Sequence, residues 1–446
     1  MDIERFNIVS LAQRSYIVYK NKEAIIIDPK LDIDDYLEFL KTQKIKLKYI
    51  LETHSHADFI SGHLDLQKAT GAEIIFSAYA NAEFEHTPVR DQDEIKFAKT
   101  KIKVMYTPGH APECVSYLLE TEPLILFSGD TLFAGDVGRP DLFEDDYSDE
   151  MLSGFLYESI QLKLRNLPDN TIVYPTHGKG SSCGKRIEDV EHTTIGHEKQ
   201  NNYAMKPTSK KEFVLMVNEG QPQKPAYFAR CAVINKKGPK LVSEIWNTLK
   251  AMKPSDIQAL GVDPNHIIID TRDPKEFAAG YIVGSINIPF SGKYEQLMSM
   301  IIEYDKNIIF ITEPGLEKRS LIGAMTVAHE TFTGYLEGGI KAWKNANLPL
   351  KIQKRYKPIE IKEKRPIIID LRSKEDHELE NIPGATLIAE NDLSEYLINL
   401  KTDKDIVLHC GVGYKSSATL SKLKTQGFTN IFDLEGGFKA WKEEKK

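Results

Sequence analysis

Residues 49–63 read YILETHSHADFISGH, and the way this stretch changes character halfway along decides the fold. The apolar run Tyr49, Ile50, Leu51 reads as the end of a buried strand, and it gives way near Thr53 to a polar loop. His54, His56 and Asp58 stand in that loop at alternate positions. Imidazole suits zinc or iron, and a tight loop can aim some ligands at one point while others support them from behind. Alone, the loop reads equally as a polar turn with surface histidines. Three further strand-like runs remove that ambiguity, because each ends in a ligand-type residue: 101–106 leads to His110, 124–127 to Asp130 and 171–175 to His177. Loops at strand ends are where rigid scaffolds present function.

Five motifs carry a resemblance: THSHAD (53–58), TPGHAPEC (107–114), SGDTLF (128–133), GDVGRPDL (135–142) and PTHGKGSSCGK (175–185). On them, residues 1–240 resemble the persulfide dioxygenase and glyoxalase II branch of the metallo-β-lactamase fold, which implies an αββα sandwich. Hydrolytic members carry THxHxDH, where the Asp and the following His hold a second metal. Here Phe59 follows Asp58 and cannot ligate, which disfavours a two-zinc hydrolase. What remains is His54, His110 and Asp130, two imidazoles and a carboxylate with open positions, a set that suits non-haem Fe(II) and O₂. The resemblance assigns these three as ligands of one Fe(II) per chain; the same set can also hold zinc with a water. His56, Asp58 and His177 are expected as supports or further metal ligands, or as loop residues bonded among themselves. His63 and His86 match no motif and read as ordinary surface or satisfied core residues.

A chain of 446 residues exceeds one ordinary domain. With 41% hydrophobic and 28% charged residues and a formal charge of −7, it asks for neither nucleic acid nor membrane. Charges at Asp2, Glu4 and Arg5 interrupt any secretory h-region, no apolar run approaches the roughly twenty residues of a membrane span, and a cytoplasmic location is expected. Four cysteines without CxxC spacing fit a reducing compartment.

Along the chain, 23–28 reads as a strand, and Ile33, Tyr36, Leu37 and Leu40 repeat at helical spacing. Ser61 is placed to cap a short helix that Gly71 ends. Past Pro239 the chain repeats itself. HIIIDTRDPKEF (266–277) answers PIIIDLRSKEDH (366–377), and LEGGIKAW (336–343) answers LEGGFKAW (434–441). Both copies, 251–350 and 356–446, resemble rhodanese, an α/β sulfurtransferase module with its reactive cysteine between a strand and a helix. The lysine-rich stretch between them, 351–365, reads as a solvated tether.

In the second copy Cys410 follows a strand, and Gly411 to Lys415 lead into a helix. Inward-turned amides and the helix N-terminus there favour thiolate over thiol. Lys415 is the basic residue of this loop. Thr312 stands in the first copy where Cys410 stands in the second, so that copy reads as inactive. Cys183 reads as a packing residue or a transient persulfide carrier, and Cys114 and Cys231 as structural. Arg139 offers a fork that matches a carboxylate on a carrier thiol, or an internal ion pair.

The whole chain resembles CstB-type persulfide dioxygenase–rhodanese fusions. The resemblance implies oxidation of a low-molecular-weight thiol persulfide by O₂ to sulfite, and transfer of persulfide sulfur to sulfite at Cys410, giving thiosulfate, in a homo-oligomer. The alternatives are a glyoxalase II-like thioester hydrolase and a sulfur carrier or sensor without oxygenase activity.

Overall fold

The computed structural model describes residues 1–143, 147–261, 263–400 and 402–444. They divide into two units, one of Met1–Glu244 with Met325–Ala328, the other of Ile245–Ala324 with His329–Lys446.

The first unit is the expected αββα sandwich. One six-stranded sheet takes β1 (Asp2–Ile8), β2 (Gln13–Lys20), β3 (Glu23–Ile27), β4 (Lys46–Leu51), β5 (Glu73–Ser77) and β6 (Thr87–Val89) in that spatial order. The other takes β7 (Glu94–Phe97), β8 (Thr100–Tyr106), β9 (Val115–Leu119), β10 (Ile125–Gly129), β11 (Ile172–Pro175) and β12 (Thr193–Thr194), again as neighbours in sequence. The two-residue period of a strand sorts the apolar residues into layers. In β3, Ile25 and Ile27 join Leu51, Val104, Tyr117 and Phe127 between the sheets. Ala24 and Ile26 instead face Tyr36, Leu40 and Leu66, which lie on the outer helices Asp34–Gln43 and His63–Thr70. On the opposite face Leu126 and Val173 meet Leu156, Ile160 and Phe213. Strands buried on both faces explain near-continuous apolar runs such as EAIII.

Gly71 ends the His63–Thr70 helix in the left-handed conformation, as expected, but Ser61 does not cap it. Its hydroxyl bonds Glu52 and the Pro29 carbonyl instead, because a buried carboxylate in reach is the stronger acceptor.

The second unit holds two parallel-sheet modules of matching plan. In the first the spatial order is β13 (Lys250–Met252), β17 (Phe332–Leu336), β16 (Asn307–Ile311), β14 (His266–Asp270), β15 (Ser285–Asn287). In the second it is β21 (Ile431–Asp433), β20 (Ile406–His409), β18 (Ile367–Asp370), β19 (Thr386–Leu387). The repeat is thus structural as well as sequential. Asn287 joins the modules, its amide oxygen accepting from Ser417 Oγ (2.7 Å) and its backbone N–H donating to Ser421 Oγ (2.9 Å). The stretch 351–365 is not a solvated tether. Tyr356 is buried, Arg355 pairs with Asp433 at 2.8 Å, and Pro358–Lys364 is helical, so the lysines lie outside a segment that its aromatic and arginine residues anchor.

Among the described residues no helix is long and apolar enough to cross a membrane. All four cysteines are buried and none forms a disulfide.

Candidate metal centre and thiol site

The ligand-type residues leave four strands whose directions bring them together. β8 and β9 are antiparallel, β9 and β10 antiparallel, and β10 and β11 parallel. β8, β10 and β11 therefore run the same way and release His110, Asp130 and His177 at one edge of the second sheet. His54 arrives from β4 in the other sheet. It is joined to that edge by the Val115 N–H on the Thr53 carbonyl and the Tyr117 hydroxyl on the Glu52 carbonyl, both at 2.9 Å. Asp28, just past β3, accepts from the Thr53 N–H (2.8 Å), the Thr53 hydroxyl and the Thr176 hydroxyl (both 2.9 Å), tying the first ligand loop to the last. A side chain at Gly138 would put its Cβ 2.1 Å from the Asp130 carbonyl and 2.9 Å from His110 Nδ1, so only glycine lets this loop close over the ligands.

His54, His110 and Asp130 are each at most 2% exposed and offer one ligand atom apiece within 4.8 Å of one another. His110 Nε2 and His54 Nε2 lie 3.4 and 3.9 Å from Asp130 Oδ2. His110 Nδ1 donates to the Arg139 carbonyl at 2.9 Å, which leaves the Nε2 lone pair pointing at the cluster. The Thr53 hydroxyl, already donating to Asp28, accepts from His54 Nδ1 at 3.0 Å and fixes the same tautomer. Burial, with neighbouring His56 for His54, lowers both imidazole pKa values, so both rings are neutral as ligands must be. His54 Nε2 and Asp130 Oδ2 are buried without a hydrogen-bond partner among the described residues. Two lone-pair nitrogens and one carboxylate oxygen, buried and convergent, with the His54 nitrogen and the Asp130 oxygen unsatisfied, fit a divalent metal.

The expected supporting residues divide. His177 bridges two carboxylates, Nδ1 to Asp130 Oδ1 and Nε2 to Asp58 Oδ2, both at 2.8 Å. Burial opposes its charge, but Asp130 and Asp58 prevail and raise its pKa to about 10. It orients Asp130 so that Oδ2 faces the imidazoles. Asp58, His177 and Cys183 form a second cluster with ligand atoms within 4.8 Å. Burial, then Asp58, pushes the Cys183 thiol well above its ordinary pKa. His56 turns away from the metal cluster, with Nε2 3.1 Å from Asp28 Oδ1 and 3.5 Å from Glu52 Oε2. Burial opposes ionisation there, yet Asp28 and Glu52 lift its pKa to about 9. Phe59, fully buried, lies against the His56 ring at 4.4 Å. His63 Nδ1 pairs with Glu52 at 3.0 Å while its buried Nε2 has no partner among the described residues, and His86 Nδ1 donates to the Phe84 carbonyl at 2.8 Å.

Arg139 takes the second of its two expected roles, the internal ion pair, and not that of a substrate-binding fork. Its guanidinium is 1% exposed and grips Asp141 through Nε and Nη2, each at 2.7 Å. It also donates to the Ser182 and Pro222 carbonyls. A fork so committed does not reach for a substrate carboxylate; it fixes the backbone whose carbonyl holds His110. Asn235 carried no sequence signal at all. Its amide donates to the His56 and Phe59 carbonyls (2.8 and 2.7 Å) and accepts from the Ser61 N–H (2.9 Å), clamping the first ligand loop from a helix about 175 residues away. Asp28, noted as a strand end, shared the strand-end position of the ligands, and that was the available clue to its part.

In the second unit Cys410 follows β20, and the helix Tyr414–Thr425 starts four residues later. Of the inward amides expected, that of Gly413 reaches the sulfur, at 3.2 Å, and Ser416 Oγ lies 3.7 Å away. Lys415 does not address the thiol; its ammonium donates to the Leu371 carbonyl at 3.0 Å and ties the loop to the end of β18. Thr312 holds the matching place after β16. A Cβ at Gly339 would come within 2.5 Å of the Thr312 carbonyl, as one at Gly437 would come within 2.6 Å of the Cys410 carbonyl, so the two loops are cradled alike while one lacks the thiol.

Residues 10–177 match the metallo-beta-lactamase superfamily, and 253–346 and 356–444 each match the rhodanese-like domain. A hydroxyacylglutathione hydrolase of Francisella philomiragia is 39% identical over 171 residues, 38% of this chain and 64% of that protein. The mitochondrial persulfide dioxygenase ETHE1 of Mus musculus is 30% identical over 160 residues, 35% of this chain and 60% of that protein. The chain therefore spans under two thirds of the length of either relative. A crystal structure of a metallo-beta-lactamase from Staphylococcus aureus superposes with a TM-score of 0.63 at 29% identity, covering 76% of this chain and 98% of that one.

Proposed function

From a metallo-β-lactamase-fold domain followed by two rhodanese-like domains, we propose that the chain oxidises a low-molecular-weight thiol persulfide with O₂ and passes persulfide sulfur to the sulfite formed. The carrying observation is the convergent set His54, His110 and Asp130 with fully buried Phe59 at the position after Asp58, in one chain with Cys410 at the head of a helix. The three residues would hold one Fe(II) per chain, which would supply the redox chemistry that activates O₂.

The chain's own residues set the stage for that chemistry. His54 and His110 present neutral Nε2 atoms because Thr53 and the Arg139 carbonyl hold their Nδ1 protons. His177 keeps Asp130 ionised and turned inward. The first half-reaction balances as persulfide plus O₂ and water giving thiol, sulfite and two protons. In the second, the Cys410 thiolate attacks the outer sulfur of a second persulfide and releases its thiolate. Sulfite then takes that sulfur from Cys410, regenerating the thiolate and giving thiosulfate and a proton. The Gly413 N–H, 3.2 Å from the Cys410 sulfur, is placed to donate to it as it attacks and as it leaves. Thr312 gives the first module no such step, and we assign it a packing role.

The hydrolase relative supports a second reading, thioester cleavage, which needs two metals. Asp58, His177 and Cys183 would have to hold the second one, and His177 is already spent on two carboxylates. The experiment is His110→Ala: it should abolish metal binding and persulfide-dependent O₂ uptake together. Retained O₂ uptake without metal would end the proposal.

A further inference from the structure

The second unit contains a cleft of about 700 Å³ that lies apart from the Cys410 loop, a volume typical of small-molecule sites. Three parts of the chain wall it: residues 263–306 of the first module, 351–354 of the connecting stretch, and 421–432 of the second module. Five lysines line it, Lys306, Lys351, Lys354, Lys422 and Lys424, against two carboxylates. Both carboxylates are engaged, Asp263 by His266 at 2.8 Å and Glu303 by Lys306 at 3.6 Å. The other four ammonium groups have no acidic partner within salt-bridge distance among the described residues. Lys354 and Lys424 each lie 5.3 Å from the centre of the Phe432 ring, and burial together with nearby Lys351 lowers the pKa of Lys424. So many like charges in one hollow repel one another, a cost that an anion would relieve.

Gln353 adds an independent sign. It lines the cleft, is 7% exposed, and neither its amide N nor its amide O has a partner among the described residues. Buried amides are nearly always paired, and an orphaned one at a cleft wall points to a ligand. Val283 and Ile352, 49% and 79% exposed, supply apolar surface at the same place.

We infer that this cleft binds a polyphosphate anion carrying an aromatic body, the nucleoside di- and triphosphate class. Lysines bind phosphates as point charges, four of them match a ligand of several negative charges better than a monoanion, and the apolar rim and the Gln353 amide suit a base. The inference is independent of the metal centre.

Calorimetric titration of the full-length protein with ATP in magnesium-free buffer tests it. ATP should bind saturably, more weakly as salt rises, and Lys351→Glu with Lys422→Glu should weaken it at least about tenfold. Inorganic triphosphate should compete less well than ATP, and adenosine alone should not bind. Gln353→Leu removes two atoms that give the free fold nothing, so it should leave the thermal midpoint equal or higher while weakening ATP. Absence of saturable binding at millimolar ATP, or unchanged affinity in the charge-reversed protein, would overturn the inference. Equal affinity for triphosphate and ATP would overturn the nucleotide assignment.

Discussion

Asn235→Leu is the perturbation that most sharply separates scaffold from ligand in this metal centre. The leucine keeps the branched heavy-atom outline but removes three buried hydrogen bonds, to the His56 carbonyl, the Phe59 carbonyl and the Ser61 N–H, at 2.8, 2.7 and 2.9 Å. A neutral hydrogen bond is worth about 1 kcal/mol net, and each buried group left unpaired adds to that, so the loss should reach roughly 3–5 kcal/mol. Urea unfolding can read it in one sample. All three tryptophans, Trp246, Trp343 and Trp441, belong to the second unit, so their fluorescence tracks that unit while far-UV circular dichroism follows both. The dichroism transition of the first unit should move and the fluorescence transition should stay. The clamped carbonyls flank Asp58, so iron affinity should also fall, by roughly 10–100-fold as for other supports of metal ligands. A shift below about 1 kcal/mol with unchanged iron affinity would refute the clamp, since three such bonds cannot vanish without cost.

Cys410→Ser should leave persulfide-dependent O₂ uptake largely intact while sulfite accumulates and thiosulfate falls to the uncatalysed background, because a serine hydroxyl cannot hold a persulfide; unchanged thiosulfate would move the sulfur carrier to another cysteine. Phe59→His should let a second metal join Asp58 and Cys183 without efficient thioester cleavage, by metal analysis and hydrolysis assay; a wild-type protein already holding two metals would contradict it. Burial lowers the pKa of His409 from 6.5 to about 4, so in that window the unfolded chain binds a proton that the fold excludes. Stability of the second unit should therefore fall as pH drops from 6.5 towards 4, by at most about 3 kcal/mol, and His409→Gln should flatten that loss in fluorescence-monitored urea unfolding; equal acid sensitivity in both proteins would refute it.

The sandwich and the two modules were legible because strand periodicity and strand-end ligands are local signals: THSHAD, TPGHAPEC and SGDTLF each carry their own strand and loop. Less legible was what each polar residue does once packed. His54 and His56 stand two residues apart in sequence, yet one faces Asp130 and the other Asp28, a choice made by strands far away in the chain. Arg139 offered a fork with no hint of which carboxylate it grips, and Lys415 a charge with no hint that a carbonyl takes it. Asn235 was invisible because all three of its partners are about 175 residues distant. The lysines of the connecting stretch suggested solvent, whereas Arg355 and Tyr356 among them anchor it to the second module.

The proposed function rests on the metal and the reaction it supports. Metal analysis of the purified full-length protein, combined with an oxygen electrode trace on adding a low-molecular-weight thiol persulfide, tests it most directly. One iron per chain is expected, with O₂ consumption matched by the sum of sulfite and thiosulfate; two zinc ions per chain, thioester hydrolysis and a flat oxygen trace would overturn the proposed function.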